Sequence, residues 1–286
     1  MNNTDKLSKA ARRRKVSIGK IFLYLFLIVL AIICFLPFYI MIINSTHSNP
    51  DLASKLMLTP GKHLIENYKR LSENVPVWKG FRNSLVIAVS TTILSGYFSA
   101  LTAYGFSKFR FKGNKQLFWI VLATMMIPQQ LGLIGFFQLC KSLNLLNSFL
   151  PMILPAIASA SSVFFIKGYS DAAIHESLIE SARIDGCGEF RIFNTIILPI
   201  IIPSVATMAI FTFVNSWNNY LTPLVLLFDM EKFTLPILIV VARGIYQTDF
   251  GAIYTGIAIS IVPIMLAFSF LSKYIIGGLS NGAVKG

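Results

Sequence analysis

Long uncharged runs constrain this chain more than any other feature. Asp, Glu, Lys and Arg are absent from 83–107, 116–140, 142–166, 192–228 and 250–272, and 16–54 is interrupted only by Lys20 and Asp51. A helix needs roughly 20 such residues to cross the hydrocarbon core of a bilayer. The runs therefore predict six spans, at about 21–43, 83–106, 116–139, 148–168, 201–226 and 252–274. The fifth run holds 37 uncharged residues, too many for one crossing, so its start, Ile192–Leu198, is expected as an interfacial helix running into the membrane. The first span has 23 uncharged residues, longer than a signal-peptide core and with no small-x-small site after it, so it is expected to stay as an anchor.

Composition agrees with this reading. Hydrophobic residues make up 55% of the chain and charged ones 13%, where a soluble domain carries about a quarter charged. The alternating pattern of a membrane β-barrel is missing. The expected fold is all-α and polytopic, with one membrane domain at 21–276. It is flanked by a basic N-terminal tail at 1–20 and a short C-terminal tail at 277–286. Lys and Arg set the expected orientation, because short cytoplasmic loops collect them. Seven lie in the first 20 residues, and Lys108, Arg110, Lys112 and Lys115 crowd into 107–115. Arg183 and Arg191 lie in 169–191, with Lys167 at its edge, and Lys273 and Lys285 follow the last span. On the other side, 140–147 holds only Lys141, and 229–251 only Lys232 and Arg243. Six spans with both termini cytoplasmic satisfy this bias. The net charge of +13 is then a matter of orientation and anionic lipid rather than of nucleic acid.

Chemistry inside the bilayer is sparse. Cys34, Cys140 and Cys187 fall in different loops or spans, as do His47, His63 and His175, so neither a disulfide nor a metal site is expected. No Gly-x-x-x-x-Gly-Lys-Ser/Thr phosphate loop occurs, so the chain is not expected to be an enzyme or to hydrolyse ATP itself. An intramembrane enzyme would need a catalytic pair within the spans, and none is there. An ion-coupled secondary carrier is the alternative transporter class, but such carriers bury a carboxylate as the coupling site. The six predicted spans contain no Asp or Glu.

Intramembrane polar side chains are costly unless they face protein or water. In the fifth span Asn215, Asn218, Asn219 and Thr222 fall within one arc of about 100° on a helical projection, with Trp217 on another face. Amides beside aromatics suit a sugar, whose hydroxyls need donors and acceptors. The same amides could instead tie helices together. Gln129 and Gln130, beside Pro128 in the third span, form a second polar cluster, read either as part of a gate or as a static bend. Gly96, Ala100 and Ala103 in the second span mark close helix packing.

Between the fourth and fifth spans, the loop 171–199 holds two short helical segments separated by Gly186, a residue able to end a helix in a left-handed conformation. On a helical projection Ile174, Leu178 and Ala182 share the expected buried edge, and Glu176, Glu180 and Arg183 the opposite face. Glu180-Ser-Ala-Arg-Ile-Asp185-Gly186, followed by Ile196-x-Leu198-Pro199, resembles the coupling loop of ABC importer permeases. Ser181 and Cys187 depart from that family's pattern with small residues. Further stretches also match: Glu66-Asn67-Tyr68, Met126-Ile-Pro128-Gln129, Leu145-Leu146-Asn147, Ile210 to Tyr220, and the terminal Gly282-Ala-Val-Lys-Gly286. Together they resemble the carbohydrate-type ABC importer permeases, in the branch like the smaller maltose permease subunit.

The resemblance implies a type I importer permease fold and a binding-protein-dependent importer of a sugar or oligosaccharide, located in a bacterial plasma (inner) membrane. The expected partners are a second permease in a heterodimer, two ATPase subunits that use ATP and Mg2+, an extracytoplasmic solute-binding protein and membrane lipid. No cofactor is expected on this chain. Glu176, Leu178, Glu180, Ala182, Arg183, Asp185 and Gly186 would couple to the ATPase. Asn215, Asn218, Asn219, Thr222, Gln129 and Gln130 are the candidates for the translocation path. The loop 229–251 would reach the docked binding protein or form a plain solvated hairpin, and Gly282–Gly286 would slot between ATPase subunits.

Overall fold

A computed structural model describes residues 18–243 and 248–283. Most of the basic N-terminal tail, residues 1–17, and the terminal Val284–Gly286 lie outside the described residues. Among those described, every regular element is helical. Five helical stretches are long and apolar enough to cross a membrane: Gly19–Asn44, Val77–Lys108, Leu150–Ala173, Glu189–Trp217 and Phe250–Tyr274.

In chain order the helices are α1 (Ile18–Asn44), α2 (Asn49–Ser54), α3 (Leu64–Asn74), α4 (Val77–Lys108), α5 (Asn114–Thr124), α6 (Leu133–Ser142) and α7 (Leu150–Ile153). Then come α8 (Ala160–Ala173), α9 (Glu176–Ile184), α10 (Glu189–Ile192), α11 (Leu198–Trp217), α12 (Leu221–Leu226), α13 (Leu235–Val241) and α14 (Phe250–Ala283). α14 runs on as a helix beyond the expected last span, into the stretch read as the C-terminal tail.

Three expected spans need correction. The third, at 116–139, is not one helix but α5 and α6, joined by turns and a 3-10 segment at Gln129–Gly132. Pro128 has no N–H to continue the ladder, and its ring pushes the preceding residue away from helical geometry. A kink was expected, and the chain breaks fully. The fourth, at 148–168, is interrupted where α7 passes into a 3-10 turn at Leu154–Ala158 and an extended Ser159 before α8, with Pro155 withholding a donor. The fifth span, expected at 201–226, begins earlier and ends sooner. Helix runs unbroken from Glu189, so the interfacial segment and the span are one rod, and it stops at Trp217. A π turn at Phe193–Ile197 lies where Pro199 withholds a donor, and the Leu198 N–H reaches back to the Phe193 carbonyl.

α4 and α11 form the centre. Gly96, Ala100 and Ala103 are buried along α4, and a Cβ added at Gly96 would stand 3.3 Å from Val205 Cγ1. Small side chains let the two backbones approach closely, which in lipid is where helix association gains its packing energy. The pair has an apolar cluster at each end. One gathers Tyr104, Ile166, Ile174, Ile179, Ala182, Ile192, Phe193 and Ile197 around α9. The other gathers Leu71, Val75, Phe213, Trp217, Leu235 and Leu238 around α3 and α13.

Polar bonds lock the α3 end. Buried Asn67 donates to the Ser45 and His47 carbonyls at 2.7 and 2.8 Å and accepts from Arg70, whose Nε donates to Asp249 at 2.7 Å. A side chain on Gly251 would collide with Asn67, so glycine is required there. Burial pushes the Asp249 carboxyl up. Hydrogen bonds from Arg70, the Ala252 N–H and Asn49 outweigh that and hold it below the usual carboxylate range.

Replacing Asn67 with Ala removes the bond to the His47 carbonyl and leaves the Ser45 carbonyl only a long contact from Thr255 Oγ1 at 3.5 Å. It should cost about 1–3 kcal/mol, read as a lower melting temperature in detergent. The folded state favours ionised Asp249, so its contribution is complete above the ordinary carboxylate pKa and is lost as pH falls through the lower folded value. The gap in melting temperature between the natural chain and Asp249→Asn should therefore be constant near neutrality and close below about pH 4.

Candidate functional site

The 171–199 loop folds as a helix–glycine–helix knob at one end of the α4–α11 pair. α9 starts after extended Ile174 and His175 and carries Glu176 in its first turn and Arg183 in its last, each suited to the helix dipole at that end. It ends at Asp185 and Gly186. The Gly186 N–H donates to the Arg183 carbonyl at 3.0 Å, and the Cys187 N–H to the Ala182 carbonyl at 2.9 Å. This is a Schellman cap, with Gly186 in the left-handed conformation at φ +76°. Nothing lies within 4 Å of the position a Gly186 Cβ would take, so only backbone geometry demands glycine there.

The buried edge differs from expectation. Ile174 and Ala182 are buried as expected, but Leu178 is 43% exposed and Ile179 takes its place. Ile174 precedes the helix in an extended conformation, so a projection phased through it sets the wrong stripe. Leu178 instead joins Ile184 and Phe190, 87% and 72% exposed, as large apolar side chains on the outside of the knob.

Glu176, Glu180 and Arg183 come together as expected. With Ile179 and the end of α4 (Lys108, Phe109 and Arg110) they line a depression of about 290 Å³. Arg110 Nη2 stands 3.6 Å from Glu176. Arg183 Nε donates to Glu189 Oε1 at 2.7 Å, and this bond holds the guanidinium protonated more firmly than usual. Glu189 also accepts from the Tyr104 hydroxyl at 3.1 Å. Neither Tyr104 nor Glu189 stands out in the sequence, because only the fold brings them within reach of Arg183.

The polar candidates of the fifth span do not share one helix. Asn215 is exposed on α11, Asn218 and Asn219 lie in the break after Trp217, and Thr222 lies on α12. The arc drawn for a continuous helix is therefore lost. Asn219 Oδ1 accepts from the Thr222 N–H at 3.3 Å, so the break is locally capped. A second cavity, of about 240 Å³, opens beside this break and is lined by Trp217, Asn218, Tyr220, Pro236, Ile239, Val240 and Ser260. Trp217 is held by a bond from Nε1 to the Ser260 carbonyl at 3.0 Å and stacks on Phe213. Gln129 opens the 3-10 turn of the broken third span, and the Gln130 side chain is exposed in it.

The described part of loop 229–251 is anchored rather than free. Asn147, in the left-handed conformation, accepts on Oδ1 from the Phe228 and Asp229 N–H groups at 3.3 and 3.2 Å. Lys232 Nζ donates to the Asn147 carbonyl at 2.9 Å. α13 then folds back, burying Leu235, Ile237 and Leu238. No three His, Cys, Asp or Glu side chains gather to hold a metal among the described residues.

Residues 92–281 match the family of binding-protein-dependent transport system inner membrane components. The arabinooligosaccharide transport system permease protein of Bacillus subtilis (strain 168) is 35% identical over 274 residues, covering 94% of this chain and 97% of that one. The polygalacturonan/rhamnogalacturonan transport system permease protein of the same organism is 32% identical over 280 residues, covering 92% and 97%. In fold, the chain is similar to a subunit of a bacterial ABC transporter that imports the acidic polysaccharide alginate, with a TM-score of 0.77 at 22% identity, covering 92% of this chain and 98% of that one.

Gly186→Ala should destabilise the knob by about 1–2 kcal/mol through backbone strain alone, and Gly186→Asn by less, read as faster hydrogen exchange across α9. Equal exchange in all three proteins would show that the left-handed cap is not what ends the helix.

Proposed function

The chain belongs to the family of binding-protein-dependent transport system inner membrane components, and from that premise we infer that it is one permease subunit of an ATP-driven importer of an oligosaccharide. The sugar class rests on what the related permeases are named for. ATP is hydrolysed on separate ATPase subunits, and an extracytoplasmic binding protein delivers the cargo. The excess of Lys and Arg in 1–20, 107–115 and 169–191 supports a reading with both termini and the knob on the cytoplasmic side, where the ATPase works.

One observation carries the coupling role. The knob packs one face on the permease core and leaves Leu178, Ile184 and Phe190 bare on the other. Apolar side chains rimmed by Glu176, Glu180, Arg183 and Asp185 make a docking surface for a cleft in the ATPase. The buried Ala182 and the Gly186 cap set the angle at which that surface is offered. Closure of the ATPase dimer then moves the knob, and the spans exchange inward- and outward-facing states according to their differential interaction with the motor.

A second permease completes the path in a heterodimer. Only 6% of the most apolar window of α1 is buried within this chain. The break between α5 and α6 falls in the middle of the uncharged run 116–140, and irregular backbone inside a bilayer is tolerated only against protein or a water-filled cavity. Gln129, Gln130, Asn215, Asn218, Asn219 and Thr222 all lie at or beside helix breaks. They are assigned to the wall of the sugar path.

Purified with its partners, the importer should hydrolyse ATP and accumulate labelled oligosaccharide in vesicles. Glu180→Ala and Gly186→Pro should lower ATP-driven uptake by roughly threefold to thirtyfold while the chain stays in the membrane. Unchanged uptake in both variants would remove the knob from the mechanism. Accumulation by this chain alone, driven by a proton gradient, would replace the importer reading with that of an ion-coupled carrier.

A further inference from the structure

We propose that Tyr104 and Glu189 are positioning residues that, with Arg183 and Phe109, clamp the coupling helix rigidly to the end of α4. A push on the knob then reaches the spans instead of flexing its connectors. The proposal rests on the reading of the knob as the coupling element.

α9 is nine residues long and hangs between two weak joints. The first is the extended pair Ile174–His175, and the second is the turn at Asp185–Gly188, which contains two glycines. Its apolar underside, Ile179 and Ala182, resists separation, but such contacts are non-directional and tolerate sliding. The directional contact that reaches the C-terminal end of α9 comes from one carboxylate. Glu189 uses Oε1 to accept from Arg183 on α9 at 2.7 Å and Oε2 to accept from Tyr104 on α4 at 3.1 Å. It bridges the coupling helix and a membrane span through a single side chain.

Aromatic packing fixes the geometry of that bridge. Tyr104 is 2% exposed, stacked on Phe193 at 5.8 Å and edge-on to Phe109 at 5.3 Å. The Arg183 guanidinium stands 5.8 Å from the Phe109 ring, which closes a circuit Arg183–Glu189–Tyr104–Phe109. Lys108 Nζ donates to the Ile174 carbonyl at 2.7 Å and so holds the first joint as well. Both joints are thus tied to Tyr104–Phe109, the last turn of α4 and its cap. As a half-exposed pair, Arg183–Glu189 contributes little stability. What it fixes is orientation. Both Glu189 oxygens are taken up by Arg183 and Tyr104, whereas Leu178, Ile184 and Phe190 form the outer surface, so clamp and docking surface can be tested apart.

The test uses the complete importer in nanodiscs, with Cys34, Cys140 and Cys187 replaced by Ala and nitroxide labels on Ser177→Cys in α9 and Thr102→Cys in α4. Electron–electron resonance should give one narrow distance distribution, unchanged between the nucleotide-free state and the state trapped with ATP and vanadate. Tyr104→Phe and Glu189→Gln should each widen it about twofold, and the double variant should be no wider than either, because the three groups act as a unit. Measured without labels, melting temperature and ATPase co-purification should stay as in the natural chain, since neither variant replaces a residue of the docking surface. Unchanged widths with intact co-purification would overturn the clamp alone, and so would widths that add in the double variant. If the unlabelled natural importer itself fails to co-purify with its ATPase, the coupling reading falls and takes the clamp with it.

Discussion

The close approach of α4 and α11 is the contact on which the rest of this structure depends. In a bilayer, helices gain nothing from leaving water, so association rests on fitting surfaces and on polar bonds. Gly96, Ala100 and Ala103 supply the fit, and the pair then presents one end to α9 and the other to α3, α13 and the start of α14. The two ends are built differently. The α9 end combines an apolar cluster with a single shared carboxylate. The opposite end is locked by Asn67, which donates to the Ser45 and His47 carbonyls, and by Arg70, which joins Asn67 to Asp249. A rigid central pair with a knob at one end and a polar latch at the other can carry displacement along its length.

Much of this was legible in the sequence, and for physical reasons. Spans announce themselves because charge is excluded from the bilayer core, and Gly186 announces a helix end because few other residues accept a left-handed backbone. The small-residue series on α4 was legible for the same reason, since only small side chains permit that approach. Other features were not. The phase of α9 depends on where the helix begins, and Ile174 lies just outside it, so Leu178 was assigned to the wrong face. The arc from Asn215 to Thr222 assumed a helix that ends at Trp217. Glu189 and Tyr104 meet across 85 residues of chain, and no periodicity connects them. Asn67 entered only as part of the Glu66-Asn67-Tyr68 match, yet its amide is buried and ties α3 to the segment after α1.

Helix breaks and cargo go together in this account. A transmembrane helix satisfies its own backbone and offers a solute only side chains, whereas a break offers peptide groups as well. Both breaks, after Thr124 and after Trp217, carry amide side chains, and these are the places where a chain of hydroxyl-rich sugar rings could exchange water for protein partners. The knob carries no information about cargo.

The central claim is that the outer face of α9 and α10 is where work enters the permease. A structure of the assembled importer tests it most directly, through the burial of Leu178, Ile184 and Phe190. The account predicts all three side chains inside a cleft of one ATPase subunit, both with and without bound nucleotide. An assembly in which the ATPase attaches elsewhere and these three remain in solvent would contradict it.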